Sequence, residues 1–137
     1  MQMKTHPELL NSELQFIPKF TPLGRAVFSS NYSMCRMLLS MGADPDHVCN
    51  DQSPLMIASH RNNIQIVELL VEYKADTRAS NSIRLTALDF AILHGNYSIA
   101  LFFVKEHRMI VVKTADDYFT LGKKCAVGYY VNYKKLI

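Results

Sequence analysis

Apolar residues in the middle of the chain recur at the spacing of a helix rather than of a strand. One stripe stands at i, i+1, i+3, i+4 and i+7 and consists of Ile66, Val67, Leu69, Leu70 and Tyr73. A shorter apolar stretch, Leu55 to Ala58, precedes it. Ser53 and Pro54 open that stretch with the residue types that suit a helix N-cap and a first helical position. The pattern predicts two successive helices joined by a polar turn.

The same pattern occurs three times. The three segments open at Thr21, Ser53 and Thr86, so their starts lie 32 and 33 positions apart. In the first and third segments the second apolar stripes are Met34, Cys35, Met37, Leu38 and Met41, and Ile99, Ala100, Phe102 and Phe103. Small residues share one position in the first helices: Ala26, Ala58 and Ala91. Because one helix pair is too small to bury its own apolar face, we expect the pairs to stack around a shared core.

Polar residues mark the predicted helix ends. Gly42 stands just past the second stripe of the first segment, where a C′ glycine belongs. Asparagines fall between the two helices of each segment: Asn31, Asn63 and Asn96. Asparagine tolerates the left-handed conformation that a helix C-terminus needs, and we assign these residues to that turn. Two Asn-Tyr-Ser sequons, at Asn31 and Asn96, are therefore interpreted as by-products of the turn and not as glycosylation sites.

These motifs resemble those of the ankyrin-repeat family from Phe20 to about Arg108. The resemblance rests on Thr21-Pro22-Leu23, Gly42-Ala43-Asp44-Pro45, Ser53-Pro54-Leu55-Met56-Ile57-Ala58, Val67-Glu68-Leu69-Leu70 and Thr86-Ala87-Leu88-Asp89-Phe90-Ala91. It implies an all-α repeat solenoid of stacked helix-turn-helix pairs with protruding loops or short β-hairpins. The chain departs from the family where the histidine after the T-P-L motif is replaced by Gly24, Met56 and Asp89. It also has His107 where a glycine is expected, so the second helix of the third segment should run on or end irregularly.

The repeat register divides the chain into five parts. We expect an N-terminal cap segment at 1–19, three repeats at 20–52, 53–85 and 86–118, and a degenerate fourth repeat at 119–137. Cys125 and Leu136-Ile137 fit the small and paired-apolar positions of such a repeat. A truncated chain that lacks further repeats is the alternative interpretation of the same segment.

Composition fits one short array and offers few groups for chemistry. The chain has 137 residues, of which 49% are hydrophobic and 20% charged, with a formal net charge of +3. Its three cysteines lack the paired spacing of a disulfide framework, which favours reduced thiols in the cytoplasm or nucleus. There is neither a signal-peptide pattern nor an apolar run that could span a bilayer, so we expect no membrane insertion.

The sequence offers no catalytic, cofactor-binding or metal-ligating set. His60 and His94 could approach each other because they occupy neighbouring positions of successive repeats, but two histidines without a carboxylate or thiol make a poor zinc site. No Gly-rich phosphate loop is present, since the five glycines are scattered. We expect no enzyme activity and no cofactor.

The resemblance places partner contacts at the ends of the first helices and at the loop tips on the concave face. The predicted positions are Phe20, Phe28, Ser29, Asn50, Gln52, His60, Arg61, Ile83, Leu85, Leu93 and His94. We therefore expect a non-enzymatic protein-interaction module, an adaptor, scaffold or regulatory subunit, that is monomeric or part of a larger chain or complex. One alternative is nucleic-acid association through the basic, Tyr-rich C-terminal segment, and another is a structural spacer.

Overall fold

The computed structural model describes residues 20–106, and the structure in this range is helical. Six α-helices follow one another: α1 (Pro22–Phe28), α2 (Tyr32–Ser40), α3 (Pro54–His60), α4 (Ile64–Glu72), α5 (Ala87–Leu93) and α6 (Tyr97–Leu101). A π-helical turn, Phe102–Glu106, continues α6. The β-bridges found in this range are single ones, Cys49 with Gln52 and Ser80 with Thr86, so each inter-repeat segment is a loop closed by one bridge.

The helices form two stacked rows. In the first row α3 packs between α1 and α5, and in the second row α4 contacts both α2 and α6. Within each repeat the two helices also pack on each other. The small residues of the first helices lie inside this stack, since Ala26, Ala58 and Ala91 are at most 6% exposed. The predicted all-α repeat solenoid is confirmed.

Each first helix starts from a side-chain cap. The Gly24 N–H donates to the Thr21 hydroxyl in α1, and the Ser53 and Thr86 hydroxyls accept equivalent bonds in α3 and α5. In α5 the Asp89 carboxylate accepts a bond from the Thr86 N–H at 2.8 Å, which completes a capping box. In α3 the Met56 sulfur accepts from the Ser53 N–H at 3.4 Å. Two of the residues that replace the family's histidine, Met56 and Asp89, therefore take part in helix capping through their side chains.

Five helices end in the same closing motif. The N–H groups of the first two residues beyond each C-cap donate to carbonyls in the last turn, as in a Schellman motif; in α2 these are Gly42 N–H to Leu39 O and Ala43 N–H to Leu38 O, both 3.0 Å. The motif needs a positive φ at the first of the two residues, and those residues are Ser30, Gly42, Asn62, Lys74 and Gly95. The assignment of Gly42 to this position is confirmed.

The asparagines assigned to the left-handed turn lie one residue beyond it. Asn31, Asn63 and Asn96 have φ values of −91°, −107° and −88°, so that assignment is wrong. Asn31 and Asn63 are N-caps whose side-chain oxygens accept from N–H groups of α2 and α4 at 3.1 Å. Asn96 makes no such cap bond. Its amide instead donates to the carbonyl oxygens of Ser59, at 2.6 Å, and His60, at 3.3 Å, in the preceding repeat.

The predicted apolar stripes form the core, with one correction in α2. Met34 is 40% exposed, although its counterpart Ile66 in α4 is fully buried. Among the described helices α4 has two neighbours in its row, whereas α2 has one, and this difference in enclosure accounts for the exposed Met34. Leu39, which the stripe omitted, is only 3% exposed.

In the second helix of the third repeat the α-helical hydrogen bonding stops at Leu101, and a π-helical turn follows up to Glu106. The N-terminal cap segment 1–19, His107 and the proposed fourth repeat lie outside the described residues. Over the described range, no helix is both long enough and apolar enough to cross a membrane.

Candidate functional site

The loop between the first two repeats ends in a two-residue turn. Cys49 and Gln52 exchange two backbone hydrogen bonds, of 2.9 and 3.0 Å, around Asn50 and Asp51. Both central residues have positive φ, 51° and 59°, which is the pattern of a type I′ turn and suits Asn and Asp. The turn fixes Asn50 and Gln52 relative to the helix ends beside them.

A cavity of about 190 Å³ lies between this turn and the ends of α1 and α3. Its lining consists of Phe20, Phe28, Cys49, Asn50, Gln52, Ile57, His60 and Arg61. The rings of Phe20 and Phe28 lie 5.3 Å apart and form an aromatic wall. The cavity thus combines apolar walls with amide, imidazole and guanidinium groups, which is the composition of a recognition patch.

Two arginines flank the Phe28 ring. The Arg61 guanidinium carbon lies 4.7 Å from the ring centroid, and that of Arg25 lies 6.0 Å away. Both distances are within the range of a cation–π interaction, which orients a guanidinium over the ring face. Phe28 nevertheless remains 38% exposed. The end of α1 therefore presents an aromatic ring and two positive charges together.

A stack of three rings continues from this cavity toward the next repeat. His60, the last residue of α3, and His94, the C-cap of α5, are parallel within 4° with centroids 4.0 Å apart. Phe90 lies 6.3 Å from His60 and 6.5 Å from His94 in nearly the same orientation. Burial in the stack lowers the pKa of both histidines, and the Arg61 charge lowers the pKa of His60 further. The proximity of His60 and His94 predicted from the repeat register is confirmed.

The second loop is organised by one asparagine and is tied to the first. The Asn81 side-chain oxygen accepts from the N–H groups of Ile83 and Leu85, at 3.1 and 2.9 Å. Ser82, near the tip, donates both its backbone N–H and its hydroxyl to the carboxylate of Asp51 in the first loop. The two loops are therefore held in register beside the cavity.

The structure brings together most of the predicted contact residues. Phe20, Phe28, Asn50, Gln52, His60 and Arg61 share the cavity, and His94 joins it through the stack with His60. Ser29 is exposed at the end of α1, and Ile83 is 52% exposed on the second loop. A role of these positions in partner binding stays a prediction.

Three of the predicted positions are less accessible than expected. Phe20 and Leu85 were assigned to exposed loop tips, and that assignment is wrong because each is only 4% exposed. Phe20 forms a wall of the cavity, while Leu85 belongs to the hydrophobic core. Leu93 is half-buried and packs against the same core. These apolar loop residues cover the repeats instead of projecting from them.

The sequence analysis missed four residues that build the site. Ile57 and Cys49 line the cavity, Phe90 extends the histidine stack, and Arg25 flanks Phe28. A signal existed for two of them. Arg25 precedes Phe28 by three positions and Phe90 precedes His94 by four, and such pairs are neighbours on a helix surface.

Neither the histidine stack nor the buried thiol of Cys35 is arranged for metal or nucleophilic chemistry. Residues 20–106 contain no cluster of three or more His, Cys, Asp or Glu side chains able to hold a metal ion. An imidazole lone pair lies in the ring plane, so two parallel stacked histidines cannot both point at one ion. Burial raises the pKa of the Cys35 thiol to about 11, which opposes formation of the nucleophilic thiolate.

Comparisons with known proteins agree with the helical stack. A family model described as ankyrin repeats (3 copies) matches residues 23–115. A protein of Fowlpox virus (strain NVSL) described as an ankyrin repeat protein is 40% identical over 95 residues, which cover 69% of this chain and 22% of that protein. Alpha-latroinsectotoxin-Lt1a of Latrodectus tredecimguttatus is 31% identical over 98 residues, which cover 71% of this chain and 7% of the toxin.

A further relative is the human ankyrin repeat and SOCS box protein 11, which is 32% identical over 71 residues, or 52% of this chain and 22% of that protein. The chain thus spans between 7% and 22% of the length of these relatives. The family match covers more than half of the chain and includes all six described helices apart from Pro22, the first residue of α1. The capped helix pairs, their regular stacking and this match have one explanation: the chain belongs to the ankyrin-repeat family.

Proposed function

We propose that this chain binds a partner protein through the cavity and the adjoining row of rings, and acts as an adaptor, scaffold or regulatory subunit without catalysis. Ankyrin repeats generally serve as protein–protein interaction modules, and the family is typically non-enzymatic. The observation that carries the proposal is the convergence of Phe28, His60, Arg61 and His94 on one face, where their side chains remain exposed although the helices that hold them are packed.

Aromatic and arginine side chains support binding at this face. They are the residue types enriched at binding hot spots, and here they surround a partly enclosed cavity. The buried free thiols of Cys35 and Cys49 fit a reducing compartment, so we place the interaction in the cytoplasm or nucleus.

The double variant His60→Ala/Arg61→Ala tests this function. We expect it to weaken the pull-down of partner proteins from a cell extract, with only a small change in melting temperature because both residues lie at the exposed end of α3. Gln65→Ala/Glu68→Ala, which changes two exposed residues of α4, serves as the matched control. Partner capture that is equal in the two variants would contradict the proposal, and so would loss of the fold in the first variant.

A further inference from the structure

We propose that the partner contributes an acidic segment, with one apolar side chain seated in the cavity and carboxylates on either side of it bound by Arg61 and by the stacked histidines. This inference rests on the proposed function and adds the chemistry of the partner. It follows from the shape of the cavity, the distribution of charge around it and the orientation of Arg61.

The cavity is suited to an apolar side chain. Phe20, Phe28 and Ile57 supply its apolar walls, and Phe20 and Ile57 are themselves 4% and 3% exposed, so the walls are held by the core. An apolar cavity of about 150 Å³ is large enough for benzene. The volume here, about 190 Å³, is therefore sufficient for one Leu, Ile, Met or Phe side chain.

The charge around the cavity is of one sign. Among the described residues that line it, Arg61 is positive, His60 offers an imidazole N–H that can donate to a carboxylate, and none is acidic. Arg25 adds a positive charge on the far side of Phe28, and His94 adds a titratable group beyond His60. The site therefore attracts carboxylates and repels a basic segment.

The nearby acidic residues are oriented away from this face or used elsewhere. Asp51 accepts two hydrogen bonds from Ser82 of the next loop, and Asp89 is buried in the capping box at the start of α5, the opposite end from His94. Glu68 and Glu72 belong to α4, in the other row of helices. None of these carboxylates lines the cavity, and none forms an ion pair with Arg61 within residues 20–106.

Arg61 is placed to bind a carboxylate with two hydrogen bonds. Its guanidinium lies over Phe28 at 4.7 Å and makes no ion pair with a carboxylate within residues 20–106. Stacking on a ring occupies the flat face of a guanidinium and leaves the N–H groups at its edge available. The C-terminus of α3 carries at most about half a negative charge, and its last carbonyls are already bonded in the closing motif, so the full charge of Arg61 dominates.

A selection from random peptides tests the inference without assuming a sequence. A display library of short random peptides is selected on the full chain at near-neutral pH. We expect the enriched peptides to carry Asp or Glu on both sides of a Leu, Ile, Met or Phe. Enrichment of neutral or basic peptides, or no enrichment, would overturn the inference.

A labelled peptide synthesised from the enriched set then assigns the binding site. We expect Arg61→Glu to weaken its binding about tenfold or more, because a charge-assisted bidentate contact becomes a repulsion. Arg61→Lys should cause a smaller loss, since it keeps the charge but not the planar fork. Arg36→Glu, on the exposed side of α2, makes the same charge change away from the cavity and should alter binding less than Arg61→Glu. Equal losses in Arg61→Glu and Arg36→Glu would contradict a specific site.

The outcomes separate this inference from the proposed function. If the selected peptides are not acidic but their binding still depends on Phe28 and His60, the acidic-segment inference is wrong and the proposed function stands. Partner capture and peptide binding that are both insensitive to His60→Ala/Arg61→Ala would end both. Self-association that Arg61→Glu abolishes, or oligonucleotide binding that Arg61→Glu abolishes, would identify a second copy or a nucleic acid as the occupant and overturn the acidic-segment proposal. Circular dichroism confirms that each variant is folded before binding is compared.

Discussion

Lys74 occupies, at the end of α4, the same left-handed position that Gly42 occupies at the end of α2. The φ angles are 67° for Lys74 and 97° for Gly42, and both residues donate the inner hydrogen bond of their closing motif. A residue with a Cβ atom costs roughly 1–2 kcal/mol in this conformation, whereas glycine adopts it freely. The end of α4 is therefore closed by a residue that does not favour the backbone it adopts.

Replacing Lys74 with glycine should stabilise the fold. We expect Lys74→Gly to raise the free energy of unfolding by about 0.5–1 kcal/mol, because the relief of backbone strain exceeds the added freedom of the unfolded chain. Urea unfolding monitored by circular dichroism measures the difference. Glu68→Gly, at an exposed position in the middle of α4, should instead lower stability by about 1 kcal/mol. A destabilised Lys74→Gly variant would show that its side chain contributes more than its backbone costs.

The stacked histidines should make stability depend on pH. The pKa of His60 and that of His94 are lower in the folded chain than the value of about 6.5 expected after unfolding. Between the folded-state pKa and the unfolded-state pKa of each histidine, the unfolded chain binds more protons than the folded chain. The free energy of unfolding therefore falls as the pH is lowered through this interval, and the contribution of the histidines is fully present above it. We expect the melting temperature to decrease as the pH is lowered into the interval below about 6.5.

A double variant isolates this effect from other titrating groups. His60→Gln/His94→Gln removes both imidazoles and should flatten the pH dependence in that interval. His47→Gln, which replaces a histidine outside the stack, is the control for the loss of an imidazole. A pH dependence that persists in the double variant would assign it to other residues.

At the scale of the elements, Asn96 links two repeats, whereas Asn31 and Asn63 at the equivalent positions cap the start of a helix. Its amide binds the last carbonyls of α3 from the beginning of α6, and the residue is only 8% exposed. Asn31 makes its single cap bond on an exposed surface. The same residue type at the same repeat position thus performs two different structural roles.

This difference predicts unequal costs for the same substitution. Asn96→Ala should lower the free energy of unfolding by about 1–3 kcal/mol, because it removes a buried side-chain donor that the Ser59 and His60 carbonyls share. Asn31→Ala should cost about 1 kcal/mol, the usual value of a helix N-cap. Chemical denaturation of the two variants provides the comparison. Equal costs would indicate that the bonds from Asn96 to α3 add no net stability.

The helices could be predicted from the sequence, but the environment of a residue could not where it depends on the neighbouring repeat. The repeat spacing and the capping residues predict the helix pairs, because these signals are local. The burial of Leu85 and the exposure of Met34 depend on which helices enclose each position, and no local pattern carries that information. The role of Asn96 likewise depends on carbonyl groups 36 and 37 positions away in the chain.

At the scale of the whole molecule, the first helices form a row whose middle member contacts both neighbours. Such arrays derive their stability from each repeat and from its interfaces with adjacent repeats. Ala58 in α3 is fully buried, and α3 packs against α1 and α5. A larger side chain at this position disturbs two interfaces, whereas Ala26 lies in α1, which has α3 as its described first-row neighbour.

We therefore expect Ala58→Leu to destabilise the chain more than Ala26→Leu does. Overpacking a well-packed core typically costs about 1–3 kcal/mol, and Ala58→Leu should lie at the upper end of that range. Thermal unfolding of both variants gives the comparison. Ala79→Leu, at a half-buried position of the second loop, is the control for added apolar volume. The opposite order of the two helix variants would show that the α1–α3 interface dominates the stability of the array.

The candidate site emerges only at this largest scale. The repeat register placed Phe28, His60, Arg61 and His94 on one face, and the structure brings them together. The cavity itself also needs the turn at Asn50–Asp51 and the core residue Ile57, which belong to different elements and share no pattern in the sequence. Charge segregation around the cavity likewise becomes visible only when the positions of Asp51 and Asp89 are known.

The reactivity of the buried Cys35 thiol can report local opening of the array. With a pKa of about 11, roughly one thiol in ten thousand is ionised at neutral pH, and its sulfur has no exposed surface. An alkylating reagent can then modify Cys35 at an appreciable rate only when α2 separates from its neighbours. The rate of labelling, followed by mass spectrometry of the peptide that contains Cys35, therefore counts the openings of the first repeat, and a ligand bound across the first two repeats would slow that rate.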